Sequence, residues 1–270
     1  KAEGNPMQQP YKIVLNSTYG AMKDKYNPLY DPRQANNVCV AGQLLLLDLI
    51  EHLEPYCQLI QSNTDGLFVK LHHENDLDII KEICKEWENR TRMSLDYETF
   101  TKIYQKDVNN YIVIHEDGSY ESKGAYVKKL NNLDYDLPIV NKALVNYFIH
   151  GTPVEETIYN CNDLKEFQMV VKVSNKFQYA QHGTKKLNER VLRVFASTDP
   201  KDPGVFKMNS RNRLEKIAGT PERCFIRNDD VNGRRIPRRL DRDWYVQVAK
   251  KRLKDFIGIE DQMNIWEMMR

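Results

Sequence analysis

Three stretches of this chain carry residue types suited to phosphate and metal chemistry. In YKIVLNSTYGAM, residues 11–22, Lys12, Asn16 and Tyr19 recur at i, i+4 and i+7. On a helix they form one stripe with Gly20 adjoining. An ammonium, a carboxamide and an aromatic ring in line can meet a phosphate, a polar base edge or sugar, and a base face. Gly20 lets another backbone or a base pair come close. The same stripe is also what a plain amphipathic helix turns toward water. In QLIQSNTDGLFV, residues 58–69, two apolar runs flank Asn63, Thr64 and Asp65. A carboxylate on a rigid β-turn suits Mg²⁺, a hard cation that prefers oxygen donors. Taken alone, NTDG is also ordinary turn chemistry, because Asn, Asp and Gly dominate turns. A third stretch places Lys106 and Tyr111 ahead of a strand, with Lys123 and Gly124 beyond.

The elements that must position these groups follow from periodicity. Pro10 is tolerated in the first turn of the helix that carries the Lys12 stripe. The loop KDKYNPLYDP leads to a long apolar helix over 35–53, which contains Ala41, Gly42 and Gln43. A hairpin follows, 59–62 against 67–71. Leu77, Ile80, Cys84 and Trp87 then share one helical face, with Asn75 or Asp76 as N-cap. SLDYET (94–99) alternates as a strand, and NNYIVIH turns at Asp117–Gly118 into SYESKGAYVK. This order predicts an α+β fold, an antiparallel sheet with helices on one face. Beyond Leu133, NKALVNYFIH is a helix stopped by Gly151, and PVEETIYN is a second one. KEFQMVVKVS and RVLRVFAS read as strands, and CFIRNDDVNGRRIP as a hairpin turning at Asn232–Gly233. The last helix is capped by Asp241, stapled by Leu240 and Tyr245, and ended by Gly258. Its apolar stripe is Tyr245, Val248, Ala249, Leu253, Phe256 and Ile257.

Composition narrows the function classes. The chain has 270 residues, 41% hydrophobic and 29% charged, which suits a folded protein with a sizeable core. No apolar stretch approaches the roughly 18 residues of a membrane span, and no signal-peptide pattern opens the sequence. Five scattered cysteines with no CxxC pair argue against a disulfide framework or zinc site and suit a reducing cytoplasm. Cytoplasmic localisation is therefore expected, and the Asn16–Ser17–Thr18 sequon is discounted. The net charge of +2 hides an asymmetry: 201–254 holds 16 Lys or Arg against 7 Asp or Glu, an excess of 9. Such a segment, Arg234 and Arg235 included, suits a polyanion-binding face, although solvated charge alone can look the same.

The order of these parts resembles the C-terminal part of a family B DNA polymerase, most similar to bacteriophage members. Lys12-x3-Asn16-Ser17-x-Tyr19-Gly20 resembles the family's fingers-helix motif. Ser62-Asn63-Thr64-Asp65-Gly66 resembles its D-T-D palm motif. Lys106 with Tyr111, then Lys123-Gly124, resembles the region that grips the primer–template duplex. The resemblance covers nearly the whole chain. It implies the end of the fingers over 1–30, a palm over 31–132 with the catalytic hairpin at 58–71, and a mixed, mainly helical thumb with the C-terminal region over 133–270. It further implies Asp65 as Mg²⁺ ligand, Lys12 on the dNTP phosphates, and Asn16, Tyr19 and Gly20 around the nascent pair. Glu98, on the strand expected at 94–99, is an accessory acidic candidate. The implied activity is template-directed nucleotidyl transfer in DNA replication. If the chain is phage-encoded, the compartment is the bacterial host's cytoplasm.

Three departures bear on that expectation. Asn63 stands where the family has its first aspartate. Lys106 and Tyr111 are further apart than the usual K-x-Y. No D-x-x-S-L-Y-P run or exonuclease motif is found in the sequence, and two-metal catalysis needs both palm carboxylates. The expected partners are therefore primer–template DNA, dNTP and an N-terminal polymerase half supplied in cis or in trans. The alternative is a non-catalytic fragment of a split or decayed polymerase that clamps DNA.

Overall fold

The computed structural model describes residues 7–127 and 136–256. Its backbone divides into two units, Lys1–Glu98 and Thr99–Arg270. This boundary falls inside the 31–132 segment.

In the first unit, helix α1 (Gln8–Lys23) is followed by α2 (Pro32–Leu53), whose N-terminus is fixed by Asp31 accepting from the Gln34 amide at 3.0 Å. Strands β1 (Cys57–Asn63) and β2 (Gly66–Leu71) pair antiparallel, and α3 (Asp76–Thr91) follows. The core is Leu49 and Leu53 of α2 against Ile80, Cys84 and Trp87 of α3, with Cys57 of β1. Polar bonds fix how the two helices pack. Trp87 Nε1 donates to the Leu45 carbonyl at 3.0 Å, and the Arg90 guanidinium grips both Asp48 oxygens at 3.2 and 2.7 Å. Helix α1 buries none of its residues among the described ones, so its apolar Tyr11, Ile13, Val14 and Leu15 stand exposed.

The second unit opens with a meander, β3 (Lys102–Asp107), β4 (Asn110–Ile114) and β5 (Tyr120–Lys123). Helices α4 (Pro138–His150) and α5 (Val154–Asn160) and a 3-10 turn at Leu164–Phe167 come next. Seven short strands follow: β6 (Met169–Lys172), β7 (Ala180–His182), β8 (Lys185–Leu187), β9 (Val191–Ala196), β10 (Val205–Met208), β11 (Leu214–Lys216) and β12 (Cys224–Ile226). They make two antiparallel sheets, ordered β12-β9-β6 and β11-β10-β7-β8. Helix α6 (Arg242–Lys254) closes the described part, its amide at Trp244 held by the Asp241 carboxylate at 3.0 Å. One core gathers Leu144, Ile158, Phe167, Phe195, Phe225 and Tyr245. A second holds Val171, Leu192, Val194, Val205 and Cys224, so β9 contributes to both.

The fold is α+β with antiparallel pairing throughout its described strands, but three local expectations are corrected. Residues 94–99 form no strand. The Leu95 amide is taken by Glu88 Oε1 of α3 at 2.5 Å, and its side chain packs on the α2–α3 core. The strand of this region is instead β3. In consequence β1–β2 and β3–β4–β5 are separate sheets. Asn232–Gly233 does turn, with Gly233 at φ +63°, but no strand follows it among the described residues. β12 pairs with β9, and Arg193 then holds the loop beyond, its amide on Asn228 Oδ1 at 2.8 Å and its guanidinium on the Asp229 carbonyl at 2.6 Å. The expected boundary at 132/133, and Ile257 and Gly258, lie outside the described residues.

Candidate functional site

The β1–β2 tip is a two-residue connection, Thr64–Asp65, with Asn63 opposite Gly66. None of these residues has a positive φ, so this is not the primed turn usual for such hairpins. Asn63 supplies the missing constraint. Its Oδ1 accepts from the Thr64 amide at 2.7 Å and from Thr64 Oγ1 at 3.2 Å. Asn63 therefore has its only carboxamide oxygen turned onto its own turn. Asp65 is left exposed, and its carboxylate makes no hydrogen bond or ion pair among the described residues. A β-bulge at Ile60 interrupts the pairing just before the tip and raises the local twist. No three His, Cys, Asp or Glu residues gather as a metal cluster among the described residues. The donor set is thus one free hard oxygen ligand, which does not fit a complete two-ion Mg²⁺ site.

On α1, Lys12 and Asn16 are exposed and unpaired among the described residues. Tyr19 is half-buried: its hydroxyl meets Cys39 Sγ of α2 at 2.7 Å, and the Lys23 ammonium lies 4.3 Å from its ring centre. That contact raises the Lys23 pKa, chiefly through the hydrogen bond to Tyr19. Nothing lies within 4 Å of a Cβ placed on Gly20, so its missing side chain answers no neighbour in the described chain. Glu98 is exposed at the end of the irregular 94–98 segment, off any strand.

The third cluster gains a geometric explanation. Lys106 and Tyr111 are separated in sequence by the β3–β4 turn. Gln105 pairs with Tyr111, Asp107 pairs with Asn110, and Lys106 is the extra residue of a bulge between them. Tyr111 pairs in turn with Lys123 of β5, whose ammonium lies 5.7 Å from the tyrosine ring centre. The sheet therefore brings together Lys106, Tyr111 and Lys123. Tyr111 keeps only 7% of its surface exposed, so little ring is left for a base to stack on. Lys106 is also engaged: its Nζ donates to Asp107 Oδ2 at 2.7 Å and sits 5.2 Å from the Tyr126 ring centre. This bond to Lys106, then those from Asn110 and the Asn109 amide, lower the Asp107 carboxyl to about 2.

Gly124 answers a close approach within its own unit. At φ +96°, a Cβ there would lie 2.2 Å from the Asn109 carbonyl oxygen and 2.3 Å from Asn110 Oδ1. Sequence reasoning missed three partners of this cluster: Asn110, Tyr126 and Arg252. Arg252 reaches Tyr126, 4.7 Å from its ring centre, and donates to Asn141 Oδ1 at 3.1 Å. Burial lowers its pKa. A basic and aromatic count over 106–126 would have singled out Tyr126, whereas no local signal points to Arg252. Of the two arginines expected to meet DNA, Arg234 pairs with Asp229 at 2.8 Å, whereas Arg235 has no partner among the described residues.

Known proteins sharpen what these pieces belong to. The chain is 26% identical over 218 residues to DNA polymerase 1 of Saccharolobus solfataricus, a match covering 77% of this chain and 23% of that protein. It is 22% identical over 196 residues to DNA polymerase 1 of Sulfurisphaera ohwakuensis, 71% of this chain and 21% of that protein. For the namesake of Sulfolobus acidocaldarius the match is 26% over 132 residues, covering 48% and 15%. This chain is similar to part of a DNA polymerase. It spans about a quarter of the length of the curated relatives it matches. No family profile matches it. The similarity supports a DNA polymerase-related role, and no helix among the described residues is long and apolar enough to cross a membrane.

Proposed function

We propose that the chain is the C-terminal part of a family B, bacteriophage-like DNA polymerase, a nucleotidyltransferase acting on primer–template DNA and dNTP. The observation that carries this is the free, exposed Asp65 carboxylate at a hairpin tip constrained by Asn63, in a chain similar to DNA polymerase 1 over 77% of its length. In this reaction the primer 3′-hydroxyl attacks the α-phosphate of the dNTP and pyrophosphate leaves. Bound Mg²⁺ supplies charge neutralisation at the reacting phosphate. Asp65 would be the chain's ligand to it, jointly with a carboxylate from outside these residues. Lys12 neutralises triphosphate charge, and Asn16, Tyr19 and Gly20 shape the surface beneath the nascent pair. Lys106, Lys123 and Arg235 meet duplex phosphates in sequence-independent contacts.

One carboxylate cannot hold two ions, so the isolated chain should extend no primer with Mg²⁺ and dNTPs. Synthesis should appear only in the longer protein or with the complementary half added. Asp65→Ala in that assembly tests the proposal: synthesis lost with DNA binding retained supports it. Unchanged synthesis sinks it. The second possibility, a fragment that clamps DNA without catalysis, draws on Asn63, whose Oδ1 is committed to Thr64. In that case reconstitution with the complementary half restores no synthesis, although duplex still binds.

A further inference from the structure

The segment RRIPRR, Arg234 to Arg239, is built asymmetrically. Its outer arginines are paired: Arg234 with Asp229 at 2.8 Å, and Arg239 with Asp202 at 3.1 Å while covering the Phe225 ring at 4.6 Å. Its inner arginines, Arg235 and Arg238, are exposed and have no hydrogen bond or ion pair among the described residues. Both line a cleft of about 570 Å³ within the second unit, together with Asn162 and Arg242, over a floor that includes Ile236 and Leu240.

The third cation is tied to the backbone. Arg242 donates to the carbonyls of Ile158 at 3.0 Å, Tyr159, and Cys161 at 2.8 Å, which anchors its guanidinium at the C-terminal end of α5. Among the described residues no carboxylate lines the cleft. The acidic neighbours in sequence are engaged elsewhere: Asp163 caps the Lys165 amide, Asp241 caps the Trp244 amide, and Asp243 accepts from the Tyr159 hydroxyl. Among the described residues, three guanidinium groups, two of them with unpaired N–H forks, thus line a concave site with one carboxamide and no carboxylate. Guanidinium forks match phosphate geometry. Small-molecule pockets of this size are usually apolar, and this one is cationic.

We propose that this cleft binds a phosphate group, with Arg235 and Arg238 as the contacting side chains and Arg242 as a fixed charge in the wall. The assignment rests on the polymerase reading only for its source, a backbone phosphate of duplex DNA. Free pyrophosphate presents the same chemistry.

The test uses the full chain and Arg235→Ala/Arg238→Ala, with far-ultraviolet circular dichroism confirming an unchanged fold. A labelled primer–template duplex is titrated by anisotropy from 50 to 300 mM KCl, and inorganic pyrophosphate by calorimetry. Two lost contacts should lower the slope of log K against log salt by about 1.8, and weaken binding roughly 60-fold at 0.1 M salt. That result assigns the cleft to DNA. Loss of pyrophosphate binding with an unchanged duplex slope assigns it to a free phosphate ligand. If the unaltered chain binds pyrophosphate but no duplex, and the double variant binds neither, the cleft stands and the DNA-binding role falls. The cleft proposal is overturned if the double variant matches the unaltered chain with both ligands, or if the unaltered chain binds neither.

Discussion

Gly124 separates two explanations of one residue, because a glycine beside Lys123 can serve DNA approach or its own fold. Its φ of +96° lies where L side chains are rarely found, and holding a non-glycine residue there costs about 1–3 kcal/mol. The Cβ of Gly124→Ala would also overlap the Asn109 carbonyl oxygen at 2.2 Å and Asn110 Oδ1 at 2.3 Å. Neither neighbour yields freely. The Asn109 amide is held by Asp107 Oδ1 at 2.9 Å, and Asn110 Nδ2 donates to both Asp107 oxygens at 2.9 and 3.1 Å. Overpacking a constrained site adds about 1–3 kcal/mol, so the two together should cost about 2–6 kcal/mol, centred near 4. At about 2–4 °C per kcal/mol for a unit of this size, a loss of about 4 kcal/mol should lower the melting temperature by roughly 8–16 °C. Urea unfolding followed by circular dichroism measures the loss. Adding Asn110→Ala should recover part of it, since one of the two overlapping groups is removed. A stability change within about 0.5 kcal/mol, of the size seen at open surface sites, would refute the packing argument. If duplex binding also fell, Gly124 would be left as a ligand-facing residue.

Other consequences follow from the same contacts. Asp65→Ala should leave the melting temperature of the isolated chain unchanged, because the carboxylate has no partner among the described residues to lose; a clear drop in a thermal scan would mean that the tip depends on it. Gly20→Ala should be tolerated and raise α1 stability by about 1 kcal/mol, read as increased helicity, while lowering primer extension in the longer protein if a base pair passes over it. The Asp107 carboxyl should titrate near 2 by NMR, and Lys106→Met should move that midpoint up toward 3.8. Because the folded-state value is depressed, this contribution is complete above about pH 4 and lost as pH falls through about 2. The unaltered chain should therefore lose more stability between pH 4 and 2 than Lys106→Met.

Much of the architecture was legible where one period ran uninterrupted. The face of Ile80, Cys84 and Trp87, the Asp241 cap and the Gly151 stop all needed only local chemistry, and each is found in place. Strand β3 was not legible, because the bulge at Lys106 breaks the alternation that marks a strand. SLDYET misled for the opposite reason: it alternates, but its backbone is claimed by a glutamate seven residues earlier. The three-residue strands β7, β8, β11 and β12 are too short for a period to register. At the candidate sites, residue types were readable and engagements were not. Nothing near Arg239 in sequence reveals that Asp202, 37 residues away, occupies it and so sets it apart from Arg238.

The buried hydroxyl of Tyr245 has a consequence for how this protein opens. It donates to the Phe167 carbonyl at 2.7 Å and accepts from the Ala196 amide at 3.1 Å, so α6 bridges the 3-10 turn and β9. Burial raises its pKa, which keeps the bridge neutral at physiological pH. Arg242 ties the same helix to the end of α5. Detaching any one of these elements exposes the polar groups of the others. The amides of α5, β9 and α6 should therefore exchange with solvent deuterium as one cooperative block, at a single high opening free energy. Those of α1, which buries no side chain among the described residues, should exchange orders of magnitude sooner. A duplex or a complementary polymerase half laid across α1 would then announce itself as slowed exchange in that helix, while the α6 block stayed as it was.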